Sequence, residues 1–207
     1  MSLDKQIKIL GVGHPRTGTG YTSKLLKSFG LDVGHEVLGK DGVVAWQMVN
    51  KNGPWPWFMN NDEILKRPEY QTLIYNVRDP RTSIPSIVYT EKNSIEYRTS
   101  QIGVPISNNP VELAILSILR FDELIMDMNP NIIYRIEHDS EMLFNILKKD
   151  YPDIKYDSIG KKVNARGHKG FDEEILNWLE RVDPSIISKI NYFCIRHGYN
   201  PLVPNDI

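Results

Sequence analysis

Apolar residues recur along this chain with two periodicities. Short, nearly continuous apolar runs, such as Ile7 to Val12, are typical of buried strands. Between them lie longer segments whose apolar residues return every three or four positions, as in amphipathic helices. The pattern predicts strands over residues 7–13, 31–34, 73–77 and 131–136, and helices over residues 20–29, 43–49, 83–92, 111–128, 142–151, 173–182 and 185–196. The alternation of strand and helix predicts an α/β fold, with three α/β/α layers and a central parallel sheet.

The composition is typical of a globular domain. The chain has 207 residues, of which 41% are apolar and 25% are charged, and its formal net charge is -1. This length predicts one domain over residues 1–207, with a helical C-terminal part at about residues 172–198 packed on it. A net charge so close to zero argues against nonspecific binding to nucleic acid or to anionic membranes.

The sequence also bears on the cellular compartment. It contains no run of about 20 apolar residues that could span a bilayer, and its N-terminus lacks the apolar core of a signal peptide. Cys194 is the single cysteine, so an internal disulfide framework is excluded and a buried, inert thiol is expected. We therefore expect a soluble, cytoplasmic protein. The sequence leaves its oligomeric state open.

The segment between the first predicted strand and helix is rich in glycine and contains one cation. It reads Gly-His-Pro-Arg-Thr-Gly-Thr-Gly-Tyr over residues 13–21. Gly18 and Gly20 would let backbone N–H groups converge on an anion, the helix N-terminus adds partial positive charge, and Arg16 adds a full one. The nucleotide-triphosphatase signature Gly-x-x-x-x-Gly-Lys-Ser/Thr would place its lysine at Thr19. We therefore predict a P-loop-like anion site for a phosphate ester other than a magnesium nucleotide triphosphate.

A second candidate segment follows the strand predicted at residues 73–77. It begins Arg-Asp-Pro-Arg at Arg78, and Ser86 follows eight positions later. Proline is tolerated in the first turn of a helix, where its missing N–H has no partner to lose, so Pro85 predicts a helix start close by. Ser86 would then lie near that start and reach an anion together with Arg78.

Taken together, the two segments resemble the sulfotransferases that use 3′-phosphoadenosine 5′-phosphosulfate (PAPS). In that family a Pro-Arg/Lys-Ser/Thr-Gly-Thr loop holds the 5′-phosphosulfate, and an Arg-Asp-Pro-Arg segment with a following serine holds the 3′-phosphate. The resemblance implies PAPS as donor, adenosine 3′,5′-bisphosphate (PAP) as product and no metal. The residues it implies for binding are Pro15, Arg16, Thr17, Gly18, Thr19, Gly20, Tyr21, Arg78 and Ser86.

A later basic loop resembles the same family more loosely. Residues 163–170 include Arg166 and Gly167, which are similar to part of the Arg-Lys-Gly sequence that closes over the 3′-phosphate in cytosolic sulfotransferases. The resemblance implies a nucleotide contact for Arg166 and Gly167. A solvated loop between helices is the alternative.

Sulfuryl transfer needs stabilisation of charge on the departing phosphate oxygen and a base for the acceptor. Arg16 is assigned to charge stabilisation, because a guanidinium does not give up a proton at neutral pH. Glu36 and then His35 are the candidate bases, since they follow the second strand at the edge of the sheet that lines the ligand crevice. Their segment is similar to the Gly-Glu-Glu of tyrosylprotein sulfotransferases, in which a glutamate is the base. Alternatively, one of them caps the next helix or binds Arg16.

The acceptor is less well defined by the sequence. Residues 52–58 concentrate aromatic and proline residues that either stack on a sugar or aromatic alcohol or pack beneath a loop. The polar segment at residues 91–109 is a candidate lid. We expect a small-molecule or glycan acceptor with a hydroxyl or amine.

Two other functions remain open at the level of sequence. The first is a P-loop kinase, which the threonine at position 19 and the lack of a convincing magnesium-binding carboxylate disfavour. The second is a non-catalytic module that binds PAP. Magnesium dependence would separate a kinase from a sulfotransferase, and the absence of transfer to any acceptor would identify the binding module.

Overall fold

A computed structural model describes residues 6–59, 66–90, 92–157 and 170–204 of the chain. The strands are β1 (Ile7–Val12), β2 (Val33–His35), β3 (Gly42–Val44), β4 (Tyr70–Val77) and β5 (Ile132–Arg135). The α-helices of the described residues are α1 (Thr19–Ser28), α2 (Pro80–Thr90), α3 (Ile95–Ser100), α4 (Pro110–Asp127), α5 (Ser140–Asp150), α6 (Glu173–Leu179) and α7 (Pro184–Arg196). Within the same described ranges, 3₁₀ helices span Trp46–Val49 and Lys92–Ser94.

The five strands form one sheet in the order β2-β3-β1-β4-β5, and every neighbouring pair is parallel. Helices cover both faces. Leu10 on β1 packs into one buried cluster together with residues of α2, α4 and α7, whereas its neighbour Ile9 packs into another with residues of α1 and α5. Successive side chains of a strand point to opposite faces, so these two clusters are the two cores of a three-layer arrangement. The predicted α/β class with a central parallel sheet is confirmed.

The predicted helix over residues 43–49 is wrong. Residues 42–44 form strand β3 between β1 and β2, and the helical part is reduced to the 3₁₀ turn Trp46–Val49. The reason is that β3 pairs with a strand on each side, and its two valines are fully buried. A short run that is apolar throughout fits either a helix or a central strand, and here the pairing partners decide.

The expectation about Pro85 is also wrong. Helix α2 begins at Pro80, so Pro85 is its sixth residue and lies inside the helix. Pro80 is the proline that occupies the first turn, where the missing N–H costs nothing. The helix therefore starts closer to Arg78 than predicted.

The segment at residues 91–109 is more structured than a polar lid. Residues 92–94 form a 3₁₀ turn, α3 follows directly, and Tyr97 and Arg98 of α3 are buried. Tyr97 packs edge-on against Trp46, with ring centroids 5.6 Å apart. The middle of this segment is therefore part of the core.

The C-terminal helices pack against α4. The carbonyl of Trp178 at the end of α6 accepts a hydrogen bond of 2.8 Å from Asn109 Nδ2, at the start of α4. In α7, Cys194 is fully buried, which confirms its predicted burial, and this burial raises the pKa of its thiol to about 11. None of the described helices is both long and apolar enough to cross a membrane.

Candidate active site

The turn between β1 and α1 has an unusual backbone. Gly18 has φ of 92° and Arg16 has φ of 77°, so both lie in the left-handed region. Glycine enters that region freely, whereas arginine does so only at a cost. Gly20 lies in the first turn of α1, and its conformational freedom is not used. The turn is therefore held in its shape by contacts around Arg16.

Side chains from within the loop and from β4 fix this turn. The Thr17 hydroxyl donates to the carbonyl of His14 at 2.6 Å. Asn76 Nδ2 donates to the backbone oxygen and to the hydroxyl of Thr17, at 3.0 and 3.1 Å. A Cβ at Gly13 would lie 2.5 Å from Asn76 Nδ2, so the close approach of loop and strand requires a glycine there. The turn is thereby bonded to the strand beside β1.

Helix α1 begins at this turn without a side-chain cap. Its N-cap residue is Gly18, which has no side chain to bond the first N–H groups. In the first turn, Thr19 Oγ1 is joined by a hydrogen bond of 3.1 Å to His35 Nε2. A helix start without a side-chain cap presents N–H donors and partial positive charge to a ligand. The arrangement suits an anion.

Arg16 and Arg78 meet at the same place although they are 62 residues apart. Arg78 Nη1 donates to the backbone oxygen of Arg16 at 3.0 Å, and Arg16 Nε donates to Ser86 Oγ at 3.0 Å. Burial lowers the pKa of Arg78, the carboxylate of Glu137 partly opposes this, and the nearby Arg16 lowers the pKa further. The structure thus brings together Arg16, Arg78 and Ser86, three of the residues that the sequence assigned to the two phosphate groups.

Ser86 is placed differently from the sequence-based expectation. It is the seventh residue of α2, in its second turn, and it is almost fully buried. Its partner is Arg16, whereas Arg78 Nε donates to Thr82 Oγ1 at 2.9 Å. Thr82, one turn before Ser86, was not predicted.

The candidate bases lie at the end of β2, as expected. Gln47 Nε2 donates to Glu36 Oε1 at 3.2 Å, and Glu36 adopts a left-handed φ of 54°. The predicted alternative, a cap on the helix at 43–49, fails because that helix is absent. His35 is half-buried beside Thr19, and burial lowers its pKa, so its imidazole is neutral near pH 7.

The aromatic segment divides into a buried part and an exposed part. Trp55 is fully buried, whereas Trp57 is 52% exposed. The Trp57 ring lies 5.9 Å from Trp46, which is buried and touches Tyr97. Gln47 Nε2 ties the segment to Glu36, because it also donates to the Pro56 carbonyl at 2.9 Å. Trp55 therefore packs beneath a loop, whereas the exposed ring of Trp57 is available to a ligand.

Arg166 and Gly167 lie outside the described residues, so their nucleotide contact stays a prediction. Pro15 is buried, and Tyr21 is half-buried in the first turns of α1. Among the described residues, no group of three or more histidine, cysteine, aspartate or glutamate side chains is placed to hold a metal ion.

Sequence analysis missed two residues that position the site. Asn76 is fully buried in β4, and Gln47 is fully buried in the 3₁₀ turn. Each is an amide in an otherwise apolar run. A buried amide needs partners, so a polar residue within a predicted core strand was the available signal for Asn76. The contact of Gln47 depends on β3, which was predicted as helix.

Comparison with known proteins gives limited similarity. No family model matches the chain. The curated protein "Probable polyketide synthase 24" of Dictyostelium discoideum is 24% identical over 196 residues, which cover 88% of this chain. The chain spans only 8% of the length of that protein. Among solved structures, the crystal structure of mouse sulfotransferase SULT7A1 complexed with PAP aligns with 94% of this chain and 84% of its own, at 13% identity and a TM-score of 0.35. A TM-score this low carries no functional argument.

Proposed function

We propose that this chain is a PAPS-dependent sulfotransferase that acts on a hydroxyl or amine of a small-molecule or glycan acceptor. The observation that carries the proposal is the contact of Arg78 with the backbone of Arg16. It joins the two segments that resemble the family's two phosphate-binding motifs. An anion between these guanidinium groups would relieve their repulsion, and charge-assisted hydrogen bonds to phosphate oxygens are strong.

The residues of the site fit a ligand with two separate phosphate groups. The turn at residues 15–21 offers N–H donors, a helix start and Arg16, which suit the 5′-phosphosulfate. Arg78 and Ser86 suit the 3′-phosphate, and Thr82 orients Arg78, because its hydroxyl accepts from Arg78 Nε while it donates to the Asp79 carbonyl. A lysine of the nucleotide-triphosphatase type is lacking at position 19, where Thr19 bonds His35.

The proposed reaction needs one base and one site of charge stabilisation. PAPS, when bound, would supply the sulfuryl group, whose bond to the 5′-phosphate oxygen breaks as its bond to the acceptor oxygen or nitrogen forms. Arg16 and the loop N–H groups stabilise the charge left on that phosphate. Glu36 accepts the acceptor proton, with Gln47 holding its Oε1 in place. His35 is the alternative base.

Transfer of label from radiolabelled PAPS to a panel of acceptors tests this proposal. The panel contains phenols, sugars and hydroxylated polyketides, the last because the curated protein with sequence similarity is described as a polyketide synthase. We expect transfer to at least one class. Absence of transfer to every class, with PAP still bound, would favour a non-catalytic PAP-binding module.

The variants Glu36→Gln and His35→Asn assign the base. We expect turnover of Glu36→Gln to fall by about 100-fold or more while its affinity for PAP is retained, because general-base catalysis contributes roughly this factor. If Glu36→Gln keeps most of its activity and His35→Asn loses it, His35 is the base.

A further inference from the structure

His14 lies directly before the anion-binding turn and is only 2% exposed. Both nitrogens of its ring are engaged. Nδ1 bonds the carbonyl oxygen of Pro15, and Nε2 lies 2.7 Å from Ser117 Oγ on α4. The ring also packs edge-on against Phe121, with centroids 4.9 Å apart. Because both ring nitrogens have fixed partners, those partners determine which nitrogen carries the proton.

The partners of His14 determine where its proton lies. A carbonyl oxygen only accepts hydrogen bonds, so Nδ1 carries the proton. Burial, assisted by the charge of Arg98, holds the pKa of His14 well below its usual value, so the ring is neutral. Nε2 therefore accepts from the Ser117 hydroxyl. The Ser117 oxygen in turn accepts from Arg98 Nη1 at 2.8 Å.

The far end of this chain of hydrogen bonds is in the segment first predicted as a lid. Arg98 belongs to α3 and is 2% exposed. Its Nε donates to Ser94 Oγ at 3.1 Å, and its carbonyl accepts from the N–H of Val104 at 3.0 Å. Arg98 is thus hydrogen-bonded through its side chain to Ser94 and through its backbone to Val104, so it is tied to both ends of residues 94–104.

The near end controls the conformation of Arg16. The peptide bond between Pro15 and Arg16 is trans, so fixing the Pro15 carbonyl on His14 turns the Arg16 N–H to the opposite side. The next carbonyl, that of Arg16, is fixed by Arg78. Arg16 is left-handed, and such a residue persists only where its surroundings determine it. His14 holds the carbonyl of Pro15, which precedes the φ angle of Arg16, and Arg78 holds the carbonyl of Arg16, which follows its ψ angle.

We propose that Arg98, Ser117 and His14 form a directional hydrogen-bond relay that holds Arg16 in its anion-binding conformation and couples residues 94–104 to nucleotide affinity. The three are positioning residues, since they act through the backbone of the turn. The identity of the nucleotide rests on the proposed function. The proton order of the relay does not.

Nitrogen NMR of the full chain with isotope-labelled histidine tests the proton order. The His14 signals are those that disappear in His14→Gln. We expect a protonated Nδ1 and an unprotonated Nε2 at neutral pH, the two being distinguished by their nitrogen shifts. A protonated Nε2 or a doubly protonated ring would overturn the relay.

Titration with PAP tests the positioning role. Ser117→Ala removes the central oxygen, and we expect the Kd for PAP to rise about tenfold, the effect of one lost buried hydrogen-bond link. Ser188→Ala on α7 is the control. Its hydroxyl donates to the helix's own carbonyl of Pro184 at 3.0 Å, and its loss should leave the Kd unchanged.

Unchanged PAP affinity in a folded Ser117→Ala would overturn the positioning role. Should the alanine variant fail to fold, Ser117→Cys keeps the size of the side chain with a weaker bond and should raise the Kd in the same direction. If the wild-type chain binds no PAP, the proposed function fails, and the NMR result still decides the proton order of the relay.

Discussion

At the scale of single residues, the central feature is the closeness of two cationic side chains. Arg78 is half-buried and bonds the backbone of Arg16, and the positive charge of Arg16 contributes to the lowered pKa of Arg78. Two guanidinium groups that are brought together at a helix start gain most from a bound polyanion. The affinity for a doubly phosphorylated nucleotide should therefore depend on Arg78.

We predict that Arg78→Ala weakens PAP binding by about 2–4 kcal/mol, because a buried charge-assisted pair is lost. Arg78→Lys keeps the charge but loses the planar fork that reaches Arg16 and Thr82, so an intermediate loss is expected. Isothermal titration calorimetry measures both. Equal affinity of wild type and Arg78→Ala would remove Arg78 from the site.

The meeting of these residues could be predicted from sequence, but their conformations could not. Each of the two segments follows a buried strand, and parallel strands that neighbour each other end at the same edge of the sheet. The left-handed backbone of Arg16 has no sequence signal, because the contacts that hold it come from Arg78 and His14. The same is true of Ser86, whose place in the second turn follows from the start of α2 at Pro80.

At the scale of elements, β4 is bonded to the turn after β1 through the side chain of Asn76. Asn76 is fully buried, and its two hydrogen bonds to Thr17 cross from β4 to the loop after β1. Burying an amide without partners is costly, so the asparagine is there for these bonds. Asn76 is the exception in this part of β4, because every other residue from Leu73 to Val77 is a hydrophobic residue buried in the core.

We predict that Asn76→Ala lowers the free energy of unfolding by roughly 1–3 kcal/mol, since it leaves the backbone oxygen of the buried Thr17 without the Asn76 donor. Urea denaturation measures the change. Thr72→Ala on the same strand is the control, because its hydroxyl makes one long contact of 3.4 Å with Tyr151 and should cost less. A larger loss in Thr72→Ala than in Asn76→Ala would contradict this view of β4.

Helix α4 is started by a residue that also binds α6. Asn109 Oδ1 accepts from the N–H groups of Val111 and Glu112 at 3.0 and 3.1 Å, while its Nδ2 donates to the Trp178 carbonyl.

We predict that Asn109→Ala lowers the free energy of unfolding by about 1–2 kcal/mol. Asn109→Asp keeps the cap and loses the bond to α6, so urea denaturation should show a smaller loss. An equal loss would place the whole effect in the contact with α6.

Sequence periodicity identified most elements and failed where neighbours decide the outcome. The longest amphipathic helix, α4, has nearly its predicted bounds, because its apolar stripe is long enough to be unambiguous. The run at residues 42–49 is short and, apart from Gln47, apolar, so only the pairing of residues 42–44 with β1 and β2 makes that part a strand. Helix α3 was missed because its buried positions include Arg98, a charged residue that the pattern assigns to the surface.

At the scale of the whole molecule, buried histidines should make stability depend on pH. His197 is buried in α7's C-terminal cap and lies 2.9 Å from Asp122 Oδ1, while Arg196 bonds the other oxygen of Asp122. Burial, assisted by Arg196, lowers the pKa of His197 to about 4 from 6.5. The pKa of His14 is lowered as well. Both histidines are therefore neutral in the folded protein at pH 7.

A histidine whose pKa is lower in the folded state takes up its proton more readily when unfolded. Its contribution to stability is complete above about pH 6.5 and is lost as the pH falls toward 4. We predict a loss of about 1.4 kcal/mol per pH unit from His197 in this window. Urea denaturation at pH 7 and 5 measures it, and His197→Gln should give a shallower dependence. A flat wild-type profile would show that His197 is not held neutral by the fold.

The turn after β1 and the start of α2 form the candidate site within the described part of the chain. The glycines, helix start and two arginines there would suit a ligand with two phosphate groups, and Thr19 stands where a nucleotide-triphosphatase would have its lysine. The central claim is therefore about which nucleotide binds.

Calorimetric titration with PAP, compared with ATP plus magnesium, tests that claim most directly. We predict micromolar binding of PAP that does not depend on magnesium and is lost in Arg78→Ala. No binding of PAP, or a preference for magnesium-ATP, would contradict the sulfotransferase proposal and point to a P-loop kinase.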